Sequence, residues 1–187
     1  MTNSVLSLLS SRRSHRAYQP QQLTQEQLDA LLTAALASPS AVNRQPWHFT
    51  VVQNAALLDE IHQAAKEHIM TLDESQRSPR FLSDDFQVFY HAPTVIFISG
   101  DASSNWVQLD CGIAAENIVI AAESMGLGSV VLGLPRNAFA SDKGPALKEK
   151  LQFPAGYEFV IAVAIGTPAD DKAAHLVGDN KISIIRG

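Results

Sequence analysis

Ser38-Pro-Ser-Ala-Val-Asn-Arg-Gln-Pro-Trp-His48 is the stretch in which the chain changes from a helical pattern to a strand pattern. The segment before it repeats apolar residues at helical spacing, and Phe49 to Val52 after it is an apolar run of strand length. Its two prolines fix the backbone φ angle. Its hydrogen-bonding side chains include Ser38, Ser40, Asn43 and Gln45. Such a loop is suited to binding the edge of a heterocycle, although the same residue types also form ordinary turns.

Helical and strand patterns follow one another along the rest of the chain. Thr24-Gln-Glu-Gln27 has the form of a capping box before a helix that ends at Ser38, and Asn54 is the expected N-cap of the next helix. Further strands are expected at residues 94–98, 129–132, 159–165 and 181–186. The pattern predicts a single α+β domain over residues 1–187, with a central mixed β-sheet flanked by helices.

One helix, expected from Asn105 to Met125, is apolar on almost every side except at Glu116 and Asn117. A helix of this kind must be buried, either in a core or against a second subunit. Residues 71–85, in contrast, lose the periodic pattern and form a polar stretch that we interpret as a connection or a lid.

The composition of the 187 residues excludes several classes of protein. The formal net charge of -5 argues against a protein whose whole surface binds nucleic acid. No apolar run is long enough for a membrane span, and the expected location is the cytoplasm. A single cysteine excludes an intrachain disulfide, and the six histidines do not form a convincing metal set, so no metal is expected.

Arg12-Arg-Ser-His-Arg16 places three guanidinium groups at a junction between a helix and a loop. Guanidinium groups are planar and permanently charged, and they donate paired hydrogen bonds to phosphate oxygens. The segment is therefore a candidate anion clamp, and a solvated basic turn is the alternative. The chain has no Walker A loop, no Gly-x-Gly-x-x-Gly fingerprint and no Gly-x-Ser-x-Gly nucleophile elbow. This combination suggests that a cofactor supplies the reactive atoms.

Three segments together resemble the FMN-dependent nitroreductases in order and spacing. They are Arg12 to Arg16, Ser38 to Trp47, and Asp110-Cys-Gly-Ile-Ala-Ala-Glu-Asn117 followed by Gly126-Leu-Gly128. The resemblance implies an intertwined homodimer with two FMN sites at the subunit interface, each built from both chains. It also implies that the buried helix packs on its twin and that the C-terminal strand crosses to the partner sheet.

The resemblance also implies which residues bind FMN. One subunit is expected to contribute Arg12, Arg13, Ser14 and Arg16, and the other Ser38, Pro39, Ser40, Asn43 and Gln45. The backbone amides of Leu132 and Gly133 are expected to face the flavin, and Lys172 and His175 are the candidate C-terminal phosphate contacts. The Asn and Lys that larger members carry before the third strand are absent between His68 and Pro93, which leaves Arg16 as the cation expected near flavin N1 and O2.

The implied activity is that of an oxidoreductase in which NAD(P)H reduces FMN and leaves before an electron acceptor binds, with ping-pong kinetics. Flavin N5 is the reactive atom, and no side chain serves as nucleophile. Planar electron-poor acceptors such as nitroaromatics and quinones are expected, with Phe81, Phe86 and Tyr90 as candidate lid residues over the acceptor. Two alternatives remain open. One is a specialised flavin enzyme for ene reduction, dehalogenation or flavin-directed chemistry, and the other is a non-catalytic flavin-binding redox module.

Overall fold

A computed structural model describes residues 4–83, 85–174 and 178–187. The helices are α1 (Ser4–Ser11), α2 (Gln25–Leu36), α3 (Ala55–Thr71), α4 (Val107–Ser124), α5 (Arg136–Phe139) and α6 (Gly144–Lys150). The strands are β1 (Trp47–Val52), β2 (Thr94–Asp101), β3 (Gly128–Leu132) and β4 (Tyr157–Gly166). Short 3-10 turns occur at Ala41–Asn43, Glu74–Gln76 and Pro79–Leu82.

The four strands form one sheet in the order β1-β2-β4-β3, and each neighbouring pair is antiparallel. The expectation of a mixed sheet is therefore wrong for these strands. Strands β2 and β3 are both antiparallel to β4, so they run parallel to each other, as the crossover through α4 requires. Because β4 lies between them, β2 and β3 do not pair with each other.

Local sequence signals set the helix starts as expected. At the start of α2, the Gln27 N–H donates to Thr24 Oγ1 at 3.2 Å and the Thr24 N–H donates to Gln27 Oε1 at 2.9 Å, which completes the capping box. Asn54 caps α3 by accepting from the Leu57 N–H at 3.1 Å. These caps fix the residues at which α2 and α3 begin.

Two apolar cores cover the two faces of the sheet. Helices α2 and α4 pack over one face, where Ile118, Cys111 and Leu31 are fully buried. Burial raises the pKa of the Cys111 thiol to about 12, so this thiol is inert at neutral pH. Helices α3, α5 and α6 belong to the other side, with Phe97 at its centre.

The expected C-terminal strand at residues 181–186 does not form within this single chain. The segment is irregular, and Ile182, Ile184 and Ile185 are 83%, 71% and 96% exposed. A strand needs a neighbouring strand to pair its backbone groups, and among the described residues the tail pairs with none. In the part of the chain that the structure describes, no helix is long and apolar enough to cross a membrane.

Candidate functional site

Helix α4 holds the polar loop of residues 38–45 through two side chains that lie seven residues apart. Asp110 Oδ1 accepts from the Ala41 N–H at 3.1 Å, and Asn117 Nδ2 donates to Ser38 Oγ at 2.9 Å. A separation of seven residues is about two helical turns, so both side chains lie on one face of α4. The two contacts fix the loop at Ser38 and at Ala41.

The same loop contains a run of strained backbone. Val42, Asn43 and Gln45 have φ angles of 47°, 56° and 49°, and Val42 is β-branched, which makes this conformation especially costly. Ser40 Oγ accepts from the Gln45 N–H at 2.9 Å and closes the turn. The Val42 side chain is 91% exposed, so packing within the chain does not explain the strain. Strain of this kind persists where surrounding contacts enforce it, and it is concentrated at ligand sites.

The Arg12–Arg16 segment lies against the outer edge of β3. The His15 N–H donates to Ser129 O at 3.0 Å, and Ser14 forms an isolated parallel bridge with Ser129. Backbone groups alternate in direction along a strand, so the N–H and C=O groups of Val131 point to the same edge as those of Ser129. The edge of β3 beyond the bridge therefore presents backbone donors and acceptors next to the basic segment.

Asp170 ties the start of the C-terminal tail to this basic segment. His15 Nδ1 lies 2.7 Å from Asp170 Oδ1, while the Arg16 N–H donates to Asp170 Oδ2 at 3.0 Å and Lys172 Nζ lies 3.3 Å from that oxygen. Burial acts to raise the pKa of Asp170, but the hydrogen bonds from Arg16, His15 and Lys172 outweigh it and lower the pKa below its usual value. The carboxylate thus brings Lys172 close to the Arg12–Arg16 segment.

A cavity of about 320 Å³ opens where β3 ends. Its walls are formed by Arg16, Arg80, Tyr90, Val130–Leu134, Arg136 and Asn137. The Arg16 guanidinium carbon lies 5.8 Å from the centre of the Tyr90 ring, a cation–π distance. Tyr90 has a φ of 54°, so one residue of the cavity lining has a strained backbone.

The donors around this cavity fit the FMN implied by the sequence. The flavin edge carries carbonyl oxygens and ring nitrogens that accept hydrogen bonds, and guanidinium and backbone N–H groups are donors. The phosphate of FMN is an anion that suits Arg12 and Lys172. Gly133 allows close approach at the cavity wall, because a Cβ at this position would lie 3.0 Å from Arg136 Nη2. Among the described residues, no group of three or more His, Cys, Asp or Glu side chains could hold a metal ion.

The structure brings some of the predicted site residues together in one chain. Arg16, Leu132, Gly133 and Tyr90 line the cavity, and Ser14 pairs with Ser129 of β3. Arg12 follows the end of α1 and is not in the cavity lining. Arg13 is different, because its guanidinium donates to Ser10 O at 2.7 Å and to Arg12 O at 2.9 Å and so completes the end of α1. His175 lies outside the described residues.

Two of the three candidate lid residues do not line the cavity. Phe86 is buried, with its ring 5.9 Å from His62 and 5.1 Å from Phe81. Phe81 is partly buried against the same core, and the Arg80 guanidinium lies 5.1 Å from its ring. The two phenylalanines therefore anchor the segment that carries Arg80, and Arg80 is the residue that reaches the cavity wall.

The loop and α1, which leads into the basic segment, contact α4 at different positions. Asp110, in the first turn, holds the loop at Ala41, whereas Glu123, in the last turn, accepts from Ser11 Oγ at 2.7 Å next to Arg12. At 1.5 Å per residue, Glu123 lies about 20 Å along the helix axis from Asp110 and about 9 Å from Asn117, the second residue that holds the loop.

Sequence reasoning missed four residues of this site. Arg80, Arg136 and Asn137 line the cavity, and Asp110 holds the loop. Asp110 could have been found, because a carboxylate in an otherwise apolar helix needs a buried donor. The positions of Arg80 and Arg136 depend on contacts between distant segments, and no local pattern marks them.

Comparison with known proteins supplies an independent finding. Residues 9–167 match the model of the nitroreductase family. A protein of Archaeoglobus fulgidus named as an NADH dehydrogenase/NAD(P)H nitroreductase is 33% identical over 174 residues, which cover 89% of this chain and 87% of that protein. The crystal structure of a nitroreductase with bound FMN from Desulfitobacterium hafniense is 29% identical, with a TM-score of 0.93 and complete coverage of both chains. A nitroreductase with bound FMN from Bacteroides fragilis is also 29% identical, with a TM-score of 0.91 over 99% of this chain and 100% of that chain.

Proposed function

The chain belongs to the nitroreductase family, and from that premise we propose that it is an FMN-dependent oxidoreductase that uses NAD(P)H to reduce a small-molecule acceptor. The observation that carries the proposal is the cavity at the end of β3. It combines guanidinium groups, backbone N–H groups of the strand edge and an aromatic ring around a space of about 320 Å³.

The residues that would hold FMN are distributed over three segments. Arg12, Ser14 and Arg16 form the basic segment at the edge of β3, and Lys172 is held near it through Asp170. Leu132 and Gly133 supply backbone at the cavity wall. The third segment is the strained loop with Ser38, Pro39, Ser40, Asn43 and Gln45.

We further propose that the active form is a homodimer in which the loop of one subunit completes the site of its partner. Within one chain, the loop is attached to α4 at Asp110 and Asn117, whereas α1, which leads into the basic segment, is attached at Glu123, about 9 to 20 Å further along the helix axis. The loop also exposes the apolar side chain of Val42, and the nearby Trp106 and Leu109 are 59% and 55% exposed. Exposed apolar groups of this size are typical of a surface that a second subunit covers.

Bound FMN supplies the atom that accepts a hydride from NAD(P)H and passes electrons to the acceptor. The chain contributes an electrostatic environment to that chemistry. The guanidinium of Arg16 favours negative charge at the flavin edge, and the backbone N–H groups of β3 orient the ring. Tyr90 covers one side of the cavity. Because reductant and acceptor would use the same space, the reductant must leave first, and ping-pong kinetics are expected.

Nitroaromatics and quinones are the acceptors that suit this site best, since a flat aromatic compound fits beside Tyr90 and the apolar residues of β3. A specialised flavin enzyme for ene reduction, dehalogenation or flavin-directed chemistry would combine FMN binding with negligible nitro or quinone reduction. A non-catalytic redox module would bind FMN without sustained turnover.

The absorbance of the purified protein is the first test. A yellow protein with flavin bands, bleached by NADH or NADPH under argon and recoloured by a quinone, is the expected result. Initial rates at several concentrations of both substrates should give parallel double-reciprocal lines. A colourless protein that cannot be reconstituted with FMN would overturn the proposal.

A further inference from the structure

The cavity at the end of β3 is strongly basic. Three arginines, Arg16, Arg80 and Arg136, line it, and none of the other residues of its described lining is acidic. The chain as a whole is acidic, with a formal net charge of -5, so the basic lining is a local feature. Within the described ranges, no carboxylate forms an ion pair with any of these three guanidinium groups.

Arg136 is held in place against the wall of the cavity. Its Nε donates to Gly133 O at 3.0 Å, and its Nη2 lies 3.0 Å from the position that a Cβ on Gly133 would occupy. A guanidinium group has five N–H donors, and the contact with Gly133 uses one of them. The remaining donors stay available to a ligand.

Arg80 approaches the cavity from a different part of the chain. It belongs to the turn Pro79–Leu82, and its guanidinium lies 5.1 Å from the ring of Phe81, which is packed against Phe86. Two arginines from distant segments thus meet at one cavity that also contains Tyr90 and the apolar side chain of Leu134.

We propose that Arg80 and Arg136 bind a carboxylate on a planar aromatic electron acceptor, so that the enzyme prefers anionic acceptors to neutral ones of the same shape. The inference rests on the proposed function, because Arg16 is there assigned to the flavin edge, and the other two arginines have no anionic partner among the described residues. Guanidinium groups recognise carboxylates through paired, charge-assisted hydrogen bonds. The ring of such an acceptor would pack against Tyr90.

Binding of benzoate and benzamide tests the proposal without turnover. The two probes share a ring and differ in charge, and calorimetry on the protein as purified gives both dissociation constants. We expect benzoate to bind roughly tenfold tighter than benzamide at low salt, and this preference to shrink as ionic strength rises. Arg80→Gln and Arg136→Gln should each reduce the preference, whereas Lys150→Gln removes one positive charge outside the cavity lining and should not.

The relative rates of turnover of a charged and a neutral acceptor provide a second test of the inference. The ratio of kcat/KM for 4-nitrobenzoate to that for 4-nitrobenzamide should fall roughly tenfold in Arg80→Gln and in Arg136→Gln. Equal binding of benzoate and benzamide by the wild-type protein would overturn the inference. A preference for the anionic compounds that both variants retain would also overturn the inference.

Two further outcomes would assign the arginines to another anion and also overturn the inference. If the variants changed only the ratio of NADPH to NADH activity, the bound anion would be a phosphate of the reductant. If they lost FMN while keeping the benzoate preference, the anion would be the flavin. A wild-type protein that never binds FMN refutes the proposed function instead, and benzoate binding still decides the role of the two arginines.

Discussion

Asn117 Nδ2 donates to Ser38 Oγ at 2.9 Å and also to Ala34 O at 3.2 Å, so one partly buried amide joins α4 to the end of α2 and the start of the strained loop. Ser38 is itself buried, and water cannot readily replace the lost donor. The amide therefore couples the packing of two helices to the conformation of residues that would contact FMN.

Replacing Asn117 by alanine should destabilise the fold and loosen the loop. The change leaves the Ser38 hydroxyl and the Ala34 carbonyl without their donor, which we expect to lower the free energy of unfolding by about 1–3 kcal/mol. FMN retention should fall as well, because the loop loses one of its two attachments to α4. Urea denaturation and ultrafiltration of bound flavin measure the two effects.

Gln25→Ala is the matched control for that experiment. Gln25 is an exposed amide that donates to Asp29 at 2.8 Å on the surface of α2, and its loss should change stability by no more than about 0.5 kcal/mol. An Asn117→Ala protein as stable as the control would show that the amide does not hold the loop.

Arg12→Ala should weaken FMN binding without a comparable loss of stability. A charge-assisted contact with the phosphate is worth about 1.5–3 kcal/mol, or roughly a tenfold to hundredfold increase in the dissociation constant. Flavin fluorescence on dilution of the holoprotein measures this constant. Lys143→Ala serves as control, because Lys143 is an exposed base paired with Glu67 at 2.6 Å. Equal FMN affinity in the two variants would mean that Arg12 is not the phosphate contact.

Lowering the pH should weaken the contacts by which Asp170 holds the start of the C-terminal tail to the basic segment. The pKa of Asp170 is lower in the folded protein than in the unfolded chain, so the unfolded state binds more protons between the two values and stability rises with pH across that window. The stabilisation is complete above the unfolded-state pKa of about 3.9 and is lost as the pH falls through the lower folded value. The stability difference between wild type and Asp170→Asn should therefore narrow as the pH is lowered from about 6 to 3. A difference that stays constant over this range would contradict the assignment.

Removal of residues 178–187 should shift the protein from dimer to monomer and release FMN at the same time. Ile182, Ile184 and Ile185 are exposed in the single chain, and burying one isoleucine contributes about 1.5–3 kcal/mol. Light scattering after gel filtration reports the mass, and absorbance reports the flavin. Deletion of Arg186 and Gly187 alone keeps all three isoleucines and is the control. A truncated chain that remains a yellow dimer would refute the role of the tail.

Local signals in the sequence predicted the parts of this fold that depend on neighbours along the chain. The capping box at Thr24 and the N-cap at Asn54 form as expected, and the buried helix expected from Asn105 to Met125 is α4, Val107–Ser124. Each depends on residues within a few positions of one another, where hydrogen-bond chemistry and helical spacing decide the outcome.

Features that depend on contacts between distant segments could not be predicted in this way. The direction of β4 between β2 and β3 makes the sheet antiparallel, and no pattern within β4 specifies its neighbours. The position of Arg80 and Arg136 at one cavity also depends on contacts between distant segments. The tail isoleucines show the reverse case, because their pattern predicts a strand although the described tail pairs with no strand of this chain.

The length of α4 sets the distance between the loop and α1, and this limits how the sequence can change during evolution. Asp110 and Asn117 hold the loop from one part of the helix, and Glu123 contacts α1 from its last turn. One inserted residue between Asn117 and Glu123 would turn the far end by about 100° and move it about 1.5 Å along the axis. Substitutions on this helix can be compensated one side chain at a time, but a change in its length would shift the loop and α1 relative to each other in a single step. We therefore expect insertions and deletions in functional descendants of this chain to fall outside residues 107–124.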